Sequence, residues 1–438
     1  MKKIVLSTMT LLALGTSLPA LTLYTDAATG QVFTSPGEGR VKLGNFVEEK
    51  TVAKQNDSIA KIAQETKKQT TTIAKIEKDS KSVPVFAKSS KFKFSGLTYI
   101  GYTYDDYDAK LADGSLNNKK DSSDFEIRRA YFQLKAYLLD DPKSYYRITF
   151  DVSKDVTGDE KVRAKYAYLF LNDVLPFTGV EVGLAHRPWH DYEEHNAWYY
   201  RSISKVLIED KKSGPDLSNS ADFGVMFKTR TKYFDADYGI FNGEGYHSAS
   251  NGSGMSFEWR TTAHLLGVSG KDKQTKKTYW DASFYGQYNM GHKTVSGIVD
   301  PVTGAVVTEK QDLIFGGLHT VFNMPSFLVA AQYVYSDNTS NVTRNVSKQA
   351  GSGYSVNAEY RLGSEKEYRI LGRYDSWTAK KEISSNEKED SSYILGAAWD
   401  MNKNLQWVAN VIVTDNEAGS SKENQNGTQY MMTAEVKF

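Results

Sequence analysis

The sequence predicts an all-β protein, a 16-stranded antiparallel transmembrane β-barrel with a short N-terminal helical, coiled-coil-like segment. Three observations predict it. From Lys91 to Phe438, segments with apolar residues at every second position recur again and again, and strict alternation is the mark of a strand with one apolar face. The links between these segments tend to alternate between short and long, as they do when turns line one rim of an up-and-down barrel and loops line the other. A leader for export precedes them, and no later segment is a continuous apolar run of the roughly 20 residues that a spanning helix needs.

Composition narrows the classes further. The chain has 438 residues and no Cys, which excludes disulfide staples, thiolate metal sites and cysteine nucleophiles. A net charge of +1 argues against a general nucleic-acid binder. The mean hydropathy of −0.51 excludes a helical membrane bundle but suits a barrel, where only every second residue meets lipid. The 28 Tyr suit the two ends of an apolar band, where a ring sits at the headgroups with its polar tip in water.

Residues 1–20 read as a signal peptide. Lys2 and Lys3 form a basic start, Ile4 to Leu14 is a short apolar run, and Leu18-Pro19-Ala20 offers a small residue before a cut. Removing the two lysines takes the net charge from +1 to −1. Residues 21–46 are an N-terminal extension. Residues 47–82 are rich in Lys, Gln, Thr, Glu and Ala, with no Gly or Pro. Val52, Ile59, Thr66 and Ile73 recur every seventh residue, with Ile62 and Ile76 three positions after two of them and Gln55 and Gln69 at the equivalent places. That is a heptad seam diluted by polar residues. It suits a short periplasmic coiled coil that joins subunits or contacts a partner, and equally a solvated helical linker. Pro84 ends it, and the barrel domain takes residues 83–438.

Strands are expected near 91–104, 124–138, 145–152, 162–171, 178–187, 221–228, 233–241, 256–267, 278–289, 312–322, 326–336, 352–361, 368–377, 391–401, 405–414 and 429–438. In the first, Phe92, Phe94, Ile100, Tyr102 and Tyr104 share one face, and Lys91, Lys93 and Ser95 the other. Long loops are expected at 105–123, 188–220, 242–255, 290–311, 337–351, 379–390 and 415–428. The last strand puts Tyr430, Met432, Ala434, Val436 and Phe438 on one face. Its closing Phe438 resembles the C-terminal signal of bacterial outer-membrane proteins, which the barrel assembly machinery reads.

Phe125-Glu-Ile-Arg-Arg-Ala-Tyr-Phe-Gln-Leu-Lys-Ala136 and its return Tyr146-Arg-Ile-Thr-Phe-Asp151 resemble the opening hairpin of the phosphate-selective porin O and P family. Tyr238-Gly-Ile-Phe-Asn-Gly-Glu-Gly245 is similar to a strand-to-loop motif of that family, and Gly183-Leu-Ala-His-Arg-Pro188 to its strand leading into the constriction loop. The start of the chain and the neck look like those of epsilonproteobacterial outer-membrane porins. The resemblance covers about Lys91 to Phe438 and implies a 16-stranded homotrimeric porin in the outer membrane of a Gram-negative bacterium.

Alternation then assigns faces. With Ala130, Phe132, Leu134 and Ala136 toward lipid, Arg129, Gln133 and Lys135 face the lumen. The same argument turns Arg147, Asp151, Arg163, Lys165, Glu181 and Arg187 inward, because a cation at the lipid midplane costs roughly 2–4 kcal/mol. The expected basic wall is Lys93, Arg129, Lys135, Arg147, Lys165 and Arg187, and such rings favour anions. The rival reading is that these charges only hydrate the lumen and pair with its carboxylates. The longest loop, 188–220, is the candidate constriction, with Asp191, Glu193 and Glu194 toward the basic wall. His186, His190 and His195 sit near these acids, but the spacing matches no HExxH pattern, and no metal is expected. GxxxxGK[ST] and GxSxG signatures are absent, so neither an enzyme nor a cofactor is expected. The expected function is passive diffusion of ions and small hydrophilic solutes with a weak anion preference. The alternatives are a phosphate- or anion-specific channel, and a structural or adhesive protein anchored by its barrel.

Overall fold

A computed structural model describes residues 20–46, most of 57–71 and nearly all of 91–438. Residues 138, 140, 156, 248–253, 268–275, 300–301, 340–348 and 381–386 lie outside the described set. The chain divides into two compact units, 1–88 and 89–438.

In the first unit, β1 (Leu21–Asp26), β2 (Val32–Phe33) and β3 (Arg40–Phe46) form an antiparallel sheet in the order β2-β1-β3. The Asp26 carboxylate accepts the amide hydrogens of Ala28 and Thr29, which shapes the turn out of β1, and Arg40 lies 3.4 Å over the Phe33 ring. Residues 60–68 are helical and exposed throughout, with Ile62 61% exposed. Of the heptad positions, only Ile62 and Thr66 lie among the described residues.

The second unit is a closed barrel. Its strands are β4 (Phe92–Tyr107), β5 (Ser122–Ala136), β6 (Tyr145–Lys154), β7 (Glu160–Leu175), β8 (Thr178–His186), β9 (Ala221–Arg230), β10 (Phe234–Phe241) and β11 (Ser256–His264). They continue with β12 (Tyr279–Val299), β13 (Val306–Met324), β14 (Phe327–Thr339), β15 (Gly351–Leu362), β16 (Tyr368–Ala379), β17 (Lys388–Asn402), β18 (Leu405–Asn416) and β19 (Gly427–Lys437). Each strand pairs antiparallel with its sequence neighbours, and β19 closes the ring on β4, with Ala434 opposite Ile100. Phe438 continues the seam by exchanging two backbone hydrogen bonds with Gly96, and its ring covers the space where a side chain at Gly96 would stand. Closure leaves no sheet edge to satisfy, which is what lets a sheet live in hydrocarbon.

The distribution of side chains inverts that of a water-soluble protein. Leu395 is 67% exposed on the outer face, whereas Arg260 is 2% exposed on the inner face. Aromatic residues gather toward both rims. Tyr354, Tyr374 and Tyr393 stand in a row nearer the long-loop rim, and Tyr368 stacks on Trp399 at the short-turn rim.

All 16 expected strands have a counterpart. The expected loop at 290–311 is corrected: β12 and β13 run on through most of it as a hairpin with two register shifts. Its apolar residues (Val295, Ile298, Val299, Val302, Val306 and Val307) fall singly or in adjacent pairs among Gly, Thr and charged residues, so the extended backbone carries no strict alternating signal.

Candidate functional site

The segment between β8 and β9, residues 187–220, is the third connection on the long-loop rim, and it folds into the barrel. It opens with α1 (Pro188–Asn196), where proline at the first helical position suits a start that needs no amide hydrogen. Apolar side chains drive it inward. Trp189, Trp198, Tyr200, Val206, Leu207 and Ile208 bury against inner-wall residues of β12–β19 such as Phe315, Leu371, Trp377 and Ile412. Trp189 stacks on Tyr285 with ring centres 3.6 Å apart. Wall carboxylates hold the loop: the hydroxyls of Tyr192, Tyr200 and Ser202 donate to Asp281, Glu359 and Glu435 at 2.8, 2.5 and 2.5 Å. The loop leaves open space along β4–β8 on the short-turn side and between β4–β5 and β16–β19 on the long-loop side.

Arg201 is the clamp of this loop. It pairs with Glu194 at 2.7 Å and Glu209 at 2.5 Å, and Lys205 reaches Glu209 at 3.0 Å. Burial works to raise the Glu209 carboxyl, but Arg201 and Lys205 outweigh it and hold the group well below its usual range.

Two cavities meet at Tyr99 and Arg201. The chamber toward the short-turn rim, about 430 Å³, is bordered by Tyr131, Arg147, Lys165, Asp191, Glu194 and Lys437 among others. The chamber toward the long-loop rim, about 380 Å³, is bordered by Arg128, Arg129, Lys205, Lys212, Asp375 and Gln429 among others.

The residues singled out in the sequence separate by partner. Arg129 pairs with Asp151 at 2.7 Å. Arg187 is 2% exposed and pairs with Asp222 and Glu258 at 3.2 and 2.9 Å, at the root of the loop and away from both chambers. Lys135, Arg147 and Lys165 have no carboxylate within 4 Å among the described residues, nor does Lys93. Lys135 lies 4.2 Å over the Tyr145 ring, Lys165 lies 4.7 Å over Tyr131, and Arg147 donates to Thr149 and Tyr168. Lys93, Lys135 and Arg147 are register partners on three adjacent strands, a row of like charges that costs stability. The acids differ too. Asp191 faces the chamber but pairs with Lys228 at 3.0 Å, and Glu194 is held by Arg201. Glu193 turns into the interface between loop and wall, where it accepts from Gln332 at 2.5 Å.

Two bulges add residues that alternation misses. The register shift between β4 and β5 lets Arg128 and Arg129 both turn inward, and Arg128 donates to the Ser202 carbonyl. The shift between β6 and β7 does the same for Lys165 and Tyr166. The signal for the first lay in the sequence: two adjacent arginines in one strand would put one of them in lipid unless the strand bulges.

The barrel is similar to solved outer-membrane proteins. An anion-selective porin from Comamonas acidovorans matches with TM-score 0.55 and 11% identity over 79% of this chain and 98% of that one. A loop L8 deletion mutant of OmpT, an outer membrane protein of Vibrio cholerae, matches with TM-score 0.53 and 11% identity over 79% and 99%. Salmonella typhi OmpF, in complex with daunomycin, matches with TM-score 0.52 and 10% identity over 79% and 97%. No family model matches the chain. No curated protein matches it in sequence. Fold and interior together define its class, a closed 16-stranded β-barrel of the outer-membrane type with a polar lumen narrowed by an inward-folded loop. The likeness extends to porins as a fold; it does not single out the phosphate-selective porin O and P family.

Proposed function

We propose that the protein is an outer-membrane porin of a Gram-negative bacterium, through which ions and small hydrophilic solutes diffuse passively with a preference for anions. The observation that carries this reading is the pair of polar chambers meeting at Arg201, one of them bordered by Arg147 and Lys165 with no opposing carboxylate in contact. The loop acids contact other cations instead: Asp191 pairs with Lys228, which also holds Glu181, and Glu194 pairs with Arg201, which also holds Glu209. The chemistry is that of a diffusion channel and not of an enzyme. In the organism the short-turn rim lies at the periplasm and the long loops lie outside.

Residues 1–20 act as the signal peptide, 21–46 as an extension, 47–82 as a periplasmic helical neck and 83–438 as the porin domain. Phe438 serves as the assembly signal at the end of β19. The protein assembles as a homotrimer, an expectation supported by the solved trimer form of Vibrio cholerae OmpT. Purified protein in a planar bilayer tests the reading. Stepwise conductance with a reversal potential on the anion side supports it, and the absence of steps contradicts it.

A further inference from the structure

The unpaired cations of the inner chamber do not stand in open water. Lys165 lies 4.7 Å over Tyr131 and 5.4 Å over Tyr166, and Arg147 lies 4.8 Å over Tyr166. Tyr131 meets Tyr99 edge to face at 6.2 Å, and Leu97 borders the same space. Each charge therefore sits beside aromatic or aliphatic surface. A small, doubly charged, strongly hydrated anion such as phosphate needs several converging donors to replace its water, and it gains nothing from ring faces. A single carboxylate carried on a flat apolar body can use both halves of the chamber. Its oxygens meet Lys165 and Arg147, and its ring lies against Tyr131 and Tyr99, in the offset or edge-on contacts that aromatic pairs favour. Space is sufficient: a cavity of about 150 Å³ already admits benzene, and this chamber measures about 430 Å³.

We propose that the chamber bordered by Lys165, Arg147, Tyr131 and Tyr99 is a selective subsite for monovalent aromatic carboxylates. It rests on the reading of the protein as an anion-preferring channel. Such solutes pause there during passage, so they interrupt chloride current while they cross.

The test measures block of chloride conductance in planar bilayers by benzoate, acetate and inorganic phosphate added to one side. Benzoate is expected to reach half-block at a concentration roughly tenfold lower than acetate, the order of effect expected of one aromatic pair. In Tyr131→Leu that advantage falls toward one, while Tyr131→Phe keeps it. Heat-modifiable migration in gels checks that each variant has folded. Benzoate blocking no better than acetate, phosphate blocking best, or an unchanged ratio in Tyr131→Leu each overturns the subsite and leaves the channel standing. Absence of anion-preferring conductance overturns the channel reading beneath it.

Discussion

Lys165 is the cation whose removal speaks most directly to anion preference. It borders the inner chamber, has no carboxylate within 4 Å among the described residues, and lies against the Tyr131 and Tyr166 side chains. With an ion passing at about 6 Å in bulk-water dielectric, one unit charge is worth ~0.7 kcal/mol. Salt with a Debye length of about 8–10 Å roughly halves that. The remaining ~0.3 kcal/mol favours a passing anion and opposes a passing cation. Lys165→Gln should therefore lower the chloride-to-potassium permeability ratio about threefold, and Lys165→Glu about tenfold. The assay is the reversal potential under a KCl gradient. The smaller shift should fade as salt rises. A ratio that stays fixed in both variants, or moves toward anions, would refute the idea that this unpaired cation sets the preference.

Three further outcomes follow from the same contacts. Deleting residues 199–212 removes the clamp at Arg201 and should raise single-channel conductance; unchanged conductance would contradict a constricting loop. Arg187→Gln strands Asp222 and Glu258 without their cation, which should cost about 3–5 kcal/mol of stability in thermal unfolding with little change in selectivity. The Glu209 carboxyl is held below its ordinary 4.5, so its pairing with Arg201 and Lys205 is fully present above that value. The contribution is lost only as pH falls through the depressed folded value. The clamp itself should thus hold on acidification to about pH 4.5 and alter conductance only well below it. A transition near neutral pH would point to another group.

Much of this was legible in the sequence because a barrel wall repeats one simple rule. Lipid outside and water inside force alternation, and alternation placed Phe132 outward and Lys135 inward. Where the strand leaves the membrane the rule lapses, and so residues 290–311 read as loop although β12 and β13 continue through them. Bulges break parity, which hid Arg128 and the joint inward turn of Lys165 and Tyr166. Partners were the least visible part. Nothing in local spacing says that Arg187 meets a carboxylate 35 residues on and another on β11, or that Glu193 turns toward Gln332 on β14. Those contacts arise from ring closure and from the apolar face of the loop, which are properties of the assembled barrel. The small sheet β1–β3 was also hidden, because its strands are short and none of their residues is buried.

The most direct test of the central claim is the current–voltage curve of the purified protein in a planar bilayer under a KCl gradient. The account predicts discrete conductance steps and a reversal potential displaced toward the equilibrium potential of chloride. Steps with a reversal potential on the potassium side would contradict the role given to Lys135, Arg147 and Lys165, and a membrane without steps would contradict the channel itself.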